Sequence, residues 1–335
     1  MKKAITTILK IVLPLGIGVY LTWYFISRLS DTELENLENA FFQADYSYMF
    51  FGLILLLLSH MSRAYRWKYM LQPLGYHPTF WKMYHSVMIG YLINLTIPRS
   101  GEVARAGYYA KYEKGASFNK VFGTIIVERV VDLLMLGIVM LTTVYLQKDV
   151  EAFHAIKDSG KSGSSFPQWI YFVVGGVVIA GIVVVFLVEK IKQKIKELFK
   201  GIFEGIKTII QLKQRVPYIL HTLFIWACYL GMIWVCSFTL PETSNLSIAA
   251  VFAAFTVGGI AISATPGGLG LYPFMVGEVL GVLYGIENPG SFSMLAWSFL
   301  TAFTILLGLV SLFVLPFIGG KPNPKIEKEI HEQTC

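Results

Sequence analysis

The residues best suited to chemistry form one string, Pro98-Arg99-Ser100-Gly101-Glu102-Val103-Ala104-Arg105. Pro98 favours an extended residue before it and ends any helix arriving from the N-terminal side. Ser100 is placed to cap a new helix, with Glu102 as its first-turn acid. Free amides at a helix start, together with the guanidiniums of Arg99 and Arg105, suit an anion and above all a phosphate. The competing reading is that these arginines only neutralise nearby acids. A second group, Glu128, Arg129 and Asp132, stands in an otherwise apolar run. Glu128 and Asp132 share a helix face, and Arg129 can pair with Asp132 three residues on. The two acids leave one negative charge for a basic partner from elsewhere, and Arg63, Arg66, Arg99 and Arg105 are available. The group serves either as a buried ion network that fixes helix packing or in substrate and proton handling. The third candidate is Thr265-Pro266-Gly267-Gly268-Leu269-Gly270, whose glycines open conformations denied to other residues and let a ligand approach the backbone. Glu278 is a further acid in an apolar stretch and a candidate site for a proton or an amine. Arg63 and Arg66, beside Tyr65, Trp67 and Tyr69, read as a belt at the membrane interface.

These residues sit in a chain of 335, of which 55% are hydrophobic and only 15% charged. The apolar residues gather in continuous runs of about 18–28, long enough to cross roughly 30 Å of hydrocarbon. That excludes a soluble globular enzyme, a disulfide scaffold and a disordered chain, and the lack of alternation excludes a barrel. The expected class is an all-α polytopic membrane protein. Six stretches read as spans: about 4–27, 49–70, 118–146, 168–188, 216–240 and 291–318. The first is too long for a signal-peptide core and lacks a small-residue cleavage site, so it reads as an uncleaved span.

Net charge is +7, but the basic residues lie in short loops rather than in a nucleic-acid-binding stripe. Segment 28–48 is acidic and should be outside. Segment 63–82 carries Arg63, Arg66, Lys68 and Lys82 without an acid, and 189–215 carries eight basic residues against three acidic, so both should be inside. This assigns a multi-pass protein of the cytoplasmic membrane with both termini in the cytoplasm. Cys228, Cys236 and Cys335 give neither a disulfide framework nor a metal spacing, and no cofactor, metal site or catalytic residue is expected.

Two apolar stretches are broken before they can span. Residues 83–110 have basic flanks and 247–286 acidic ones, so each reads as a re-entrant hairpin, from the inside and the outside respectively. The order span, hairpin, span then occurs twice, over 49–146 and 216–318, with opposite sense. Such an inverted repeat with Pro/Gly breaks at matching positions points to a transport site near the midplane. Residues 1–318 form one transmembrane domain on this reading. Residues 189–214 form a basic amphipathic linker helix on the cytoplasmic leaflet, and 319–335 a short cytoplasmic tail.

The strings RAYRWKYML from Arg63, N-x-x-IPRSGEVARA from Asn94, F-x-x-V and VERVVDLL between Phe118 and Leu134, and ATPGGLGLYP from Ala264 resemble the transmembrane region of the lysylphosphatidylglycerol synthases. The same region occurs in a wider flippase-like family without a synthase domain. The resemblance covers about residues 15–318. It implies a flippase or scramblase for an anionic, aminoacylated or polyprenyl-phosphate lipid, with a separate transferase as a candidate partner. On the translocator reading Arg99 and Arg105 hold the phosphate, Glu128, Asp132 and Glu278 handle an amine or a proton, and the break at 265–270 flexes. The departure is the short C-terminal segment Gly319–Cys335, which cannot hold a lysyl-transfer domain, so the chain is expected not to be an enzyme. The alternatives are an integral-membrane lipid-phosphate transferase or a subunit of one, and a secondary transporter for a small anion.

Overall fold

The computed structural model describes residues 30–97, 100–150 and 204–320, together with residue 201 and scattered residues between 16 and 27. The expected spans at 4–27 and 168–188, most of the linker helix and the tail lie outside the described residues. Among those described, the chain is helical and contains no strand. A short helix α1 (Asp31–Gln43) is started by a capping box: Ser30 Oγ accepts from the Glu33 amide, and the Glu33 carboxylate accepts from the Ser30 amide at 2.8 Å.

Helix α2 (Tyr46–Leu71) follows. Its cap Asp45 accepts from the Ser47 amide, and the Asp45 amide donates to the Thr239 carbonyl at 3.0 Å. That second bond ties the start of α2 to the end of helix α6 (Arg215–Ser237), and the two helices form the most extensive interface. They pack closely because Gly52 faces Cys236; a Cβ on Gly52 would stand 2.5 Å from the Cys236 sulfur. Small residues at such crossings let backbones approach where lipid supplies no hydrophobic drive between helices.

Two helical hairpins flank this pair. The first joins α3 (Phe80–Asn94) to α4 (Gly101–Tyr112), and the second joins α7 (Ile248–Ala264) to α8 (Leu271–Tyr284). These helices are 15, 12, 17 and 14 residues long. At 1.5 Å per residue they measure about 18–26 Å, too short to cross singly. Helix α5 (Phe118–Leu146) follows the first hairpin and α9 (Pro289–Gly319) the second. Among the described residues, three helical stretches are long and apolar enough to cross a membrane: Tyr46–Leu74, Arg215–Ser237 and Pro289–Gly319. Helix α5, 29 residues long, carries its charges at Glu128, Arg129 and Asp132.

The neighbours come in matched pairs. Helix α3 packs on α4 as α7 packs on α8, and α4 on α5 as α8 on α9. Each hairpin also leans on the last helix of the other unit, α3 on α9 and α7 on α5. Polar bonds mark both crossings: His85 Nδ1 with Ser311 Oγ at 2.9 Å, and Thr143 Oγ1 with Thr256 Oγ1 at 2.8 Å and with the Phe252 carbonyl at 3.3 Å. Exchanging α2–α5 with α6–α9 therefore leaves this arrangement of neighbours unchanged.

The hairpin tips meet. At the second, Gly267, Gly268 and Gly270 all have positive φ, at 59°, 79° and 70°. Gly267 is pressed against Leu95 at the end of α3; a Cβ there would lie 2.3 Å from Leu95 Cδ2. Its carbonyl accepts from Trp297 Nε1 of α9 at 2.8 Å. At the first tip, Gly101 sits so close to Gly90 that a Cβ would be 2.0 Å from the Gly90 carbonyl. The expected cap differs from the observed one. Ser100 is helical and its hydroxyl donates to the Ile97 carbonyl, while Asn94 Oδ1 accepts from the Gly101 amide at 2.7 Å. The tight crossing at Gly90 brings the Asn94 amide within reach, so the helix that ends at the tip caps the one that begins there.

Candidate functional site

Most of the predicted polar residues of the first unit converge on one buried cluster. Arg105 of α4 donates through Nη1 to Glu128 Oε2 of α5 at 2.6 Å, and its guanidinium lies 3.8 Å from the Trp67 ring centroid. Trp67 is itself held by its Nε1 donating to Thr124 Oγ1 at 2.8 Å. Arg66 of α2 places Nε 3.7 Å from Glu128 Oε1, and donates to Asp132 Oδ1 at 3.1 Å and to Thr222 Oγ1 of α6 at 2.9 Å. Arg63, one turn earlier, donates to Asp132 Oδ2 at 2.7 Å and to the Tyr229 hydroxyl at 3.3 Å. Arg129 reaches back to Glu102 at 3.2 Å and to Asp132 at 3.6 Å.

The pairing of Arg129 with Asp132 agrees with their spacing, and the basic partners required by Glu128 and Asp132 come from α2 and α4. The placement of Arg63 and Arg66 in an interface belt is corrected. Both are buried, Arg66 completely, and they form the centre of the cluster. Their spacing of three residues puts them on one face of α2, and the unpaired acids of α5 draw that face inward. An isolated charge facing lipid costs about 2.5–3.5 kcal/mol, so this convergence offsets a large penalty. Arg99 lies outside the described residues. Glu278 joins no part of the cluster; it is exposed on α8, beside a cavity of about 240 Å³ that Glu33, Phe274 and Asn288 also line. Pro266, Gly267, Gly268 and Gly270 form the second tip, which reaches the first through Leu95.

The cluster is richer in cations than in anions. Four arginines, at 63, 66, 105 and 129, face three carboxylates, at 102, 128 and 132. It also has unmet valence. Arg105 Nε and Nη2, Arg66 Nε, Arg63 Nε and the Tyr218 hydroxyl are buried without a hydrogen-bond partner, as are the acceptors Glu102 Oε2 and Glu128 Oε1. In Arg105 the two open donors are one whole edge of the guanidinium, the edge that binds an oxyanion through two parallel bonds. Side-chain exposure rises from 0% at Arg66 and Glu128 to 21% at Glu102 and 44% at Arg129. Access to the cluster therefore runs along Arg129 and Glu102. Among the described residues no group of His, Cys, Asp and Glu is arranged to hold a metal ion. Sequence reasoning set Trp67 in the interface belt, although it is wholly buried, and did not name Thr222, Tyr218 or Tyr229. Only the first had a signal, its position next to Arg66; the other three lie on α6, more than 80 residues from the nearest cluster charge.

A polytopic helical membrane protein with a buried, arginine-rich ion cluster between α2, α4 and α5 is the class that fold and site define. Residues 11–320 match the family described as the lysylphosphatidylglycerol synthase TM region, and the chain belongs to that family. It is similar to a UPF0104 membrane protein of Methanocaldococcus jannaschii, 29% identical over 115 residues, which are 32% of this chain and 33% of that one. A UPF0104 membrane protein of Pyrococcus horikoshii is 24% identical over 111 residues, again 32% and 33% of the two chains. Each alignment thus spans about a third of the relative's length. No solved structure matches significantly.

Proposed function

We propose that this protein moves an anionic phosphate-bearing lipid between the leaflets of the cytoplasmic membrane. The observation that carries the reading is the buried, unpartnered edge of Arg105 in a cluster with more arginines than carboxylates. A phosphate presents the charge and paired oxygens that such an edge lacks. Membership of a lipid-related membrane family supports a lipid as the bearer of that phosphate. The two hairpins with touching tips support an alternating-access device, in which α3–α4 enters from the cytoplasm and α7–α8 from the outside. The flanking charges support that inverted sense, with both termini cytoplasmic.

The test is transbilayer movement in proteoliposomes. Purified protein is reconstituted with headgroup-labelled phosphatidylglycerol, and outer-leaflet label is followed by quenching. Acceleration over empty vesicles that is lost in Arg105→Ala supports the reading. Unchanged rates with and without a proton gradient, for folded protein, overturn it.

A further inference from the structure

Next to the phosphate-seeking part of the cluster lies a second group of unmet polar atoms. His60 is 3% exposed, and both its ring nitrogens are buried without a hydrogen-bond partner. It stands one turn before Arg63 on α2, whose Nε is likewise buried and unpartnered. Its ring packs on Tyr91 of α3, 4.6 Å between centroids. Arg63 in turn donates to the Tyr229 hydroxyl of α6. A neutral imidazole has one donor and one acceptor, and leaving both unmet in an apolar interior is costly. A hydroxyl, itself donor and acceptor, satisfies such a pair.

The charges here decide against another class of headgroup. Every carboxylate of the cluster is engaged by arginine, and the formal sum over the four arginines and three acids is +1. An ammonium group entering here would meet a net positive charge, and the two carboxylate oxygens left without a hydrogen bond, Glu102 Oε2 and Glu128 Oε1, belong to acids already ion-paired with arginine. Resting on the translocator reading above, we infer that His60, Arg63 and Tyr229 form a headgroup subsite for neutral hydroxyls. The ligand is then a phosphodiester whose headgroup carries hydroxyls, such as a glycerol or a sugar, rather than an amine. Arg105 and Arg66 take the phosphate, and His60 and Arg63 Nε take the hydroxyls.

Three lipids, each labelled on an acyl chain so that its headgroup is intact, separate the possibilities by transbilayer movement in the same proteoliposomes. Phosphatidylglycerol carries one negative charge and two hydroxyls, phosphatidylmethanol the same charge and none, and lysylphosphatidylglycerol a net positive charge. The expected order is phosphatidylglycerol first, about five- to tenfold faster than phosphatidylmethanol, with the lysylated lipid slowest. In His60→Leu the preference of about five- to tenfold for phosphatidylglycerol over phosphatidylmethanol should disappear. Equal wild-type rates for the first two lipids overturn the inference. So does a parallel loss of both in His60→Leu, which marks a structural histidine, or a fastest rate for the lysylated lipid.

Binding gives a readout that does not depend on movement. Short-chain phosphatidylglycerol should raise the melting temperature of detergent-solubilised protein more than short-chain phosphatidylmethanol does, and His60→Leu should remove the difference. A His60-dependent preference without movement leaves the subsite standing and removes the translocator. Glycerophosphoglycerol, the same headgroup without acyl chains, should stabilise weakly. If it matches the short-chain lipid, the subsite chemistry stands and the ligand is a water-soluble phosphodiester. No preference in melting overturns the subsite.

Discussion

Arg105 and Glu128 are joined by a 2.6 Å bond at which both side chains are almost wholly buried, 4% and 0% exposed. Removing one partner of a buried pair strands the other charge and costs about 3–5 kcal/mol, whereas replacing both costs far less. Arg105→Leu and Glu128→Leu should each lower the melting temperature sharply, and the double variant should recover much of the loss. The comparison is a double-mutant cycle on melting in detergent. Additive losses would mean that the two side chains are stabilised independently, against the geometry described here.

Much of this arrangement was legible in the chain, and the illegible part has a physical cause. Hydropathy and loop charge gave α2, α5, α6 and α9 within about three residues of their ends, and the Pro/Gly breaks marked both hairpins. The acids of α5 announced that arginines must come to them. Which arginines came was not readable, because Arg63 and Arg66 lie near the end of α2, where a snorkelling belt is equally consistent with hydropathy. Their burial follows from the α2–α6 packing, in which Thr222 and Tyr229 meet the guanidiniums from across the interface. Likewise the cap of α4 depends on the closeness of Gly90 and Gly101, a tertiary distance that local sequence does not encode.

Gly267 tests whether the hairpin tips hold one another. An alanine there meets two separate obstacles, a backbone at φ 59° and the Leu95 side chain. The first costs about 1–2 kcal/mol for an L-residue. The second is a flexible side chain and can be trimmed. Gly267→Ala should therefore lower stability, and adding Leu95→Ala should restore only the steric part. Full recovery in the double variant would mean that the positive φ is not required at this tip.

At the first tip, Gly101→Ala would drive a methyl group into the Gly90 carbonyl, which backbone alone supplies and no rotamer can relieve. The two helices of the hairpin should separate, and with them the approach of Arg105 to Glu128. Asn94→Ala removes only the cap, at about 1 kcal/mol. Melting should rank Gly101→Ala well below Asn94→Ala, and Asn94→Ala below wild type. The reverse order would place the strain elsewhere.

Outside the membrane-spanning helices, Ser30 and Glu33 give a pH-dependent prediction. The Ser30 amide and hydroxyl both donate to the Glu33 carboxylate and hold it below its ordinary value of 4.5. A carboxyl lowered in the folded state contributes stability above its unfolded pKa and loses it as pH falls through the folded one. Protection of the amides in the first turn of α1, taken as the exchange rate relative to the intrinsic rate at each pH, should therefore be high at pH 7 and fall as pH drops below 4.5. Glu33→Gln should flatten that dependence. Identical profiles for the two proteins would show that the capping box does not persist in solution.

The gradient of exposure across the cluster separates an open rim at Glu102 and Arg129 from a closed interior at Arg66 and Glu128. Val103, on α4 beside Glu102, is 48% exposed, whereas Ile125, on α5 one turn before Glu128, is 1% exposed. The cysteines at 228 and 236 are buried, so with Cys335 replaced by serine a single introduced thiol reports its own surroundings. A maleimide that cannot cross membranes reacts with a thiolate in water and hardly at all in hydrocarbon. If the rim formed by Glu102 and Arg129 opens to the cytoplasm, Val103→Cys should react quickly from that side alone, and Ile125→Cys from neither. Short-chain phosphatidylglycerol should slow the reaction at position 103 by occupying the approach to Arg105. Reaction of Val103→Cys from the outer side would reverse the orientation assigned to α3–α4. Equal reaction at 103 and 125 would mean that the cluster is open throughout, rather than closed around Glu128 and reached past Arg129.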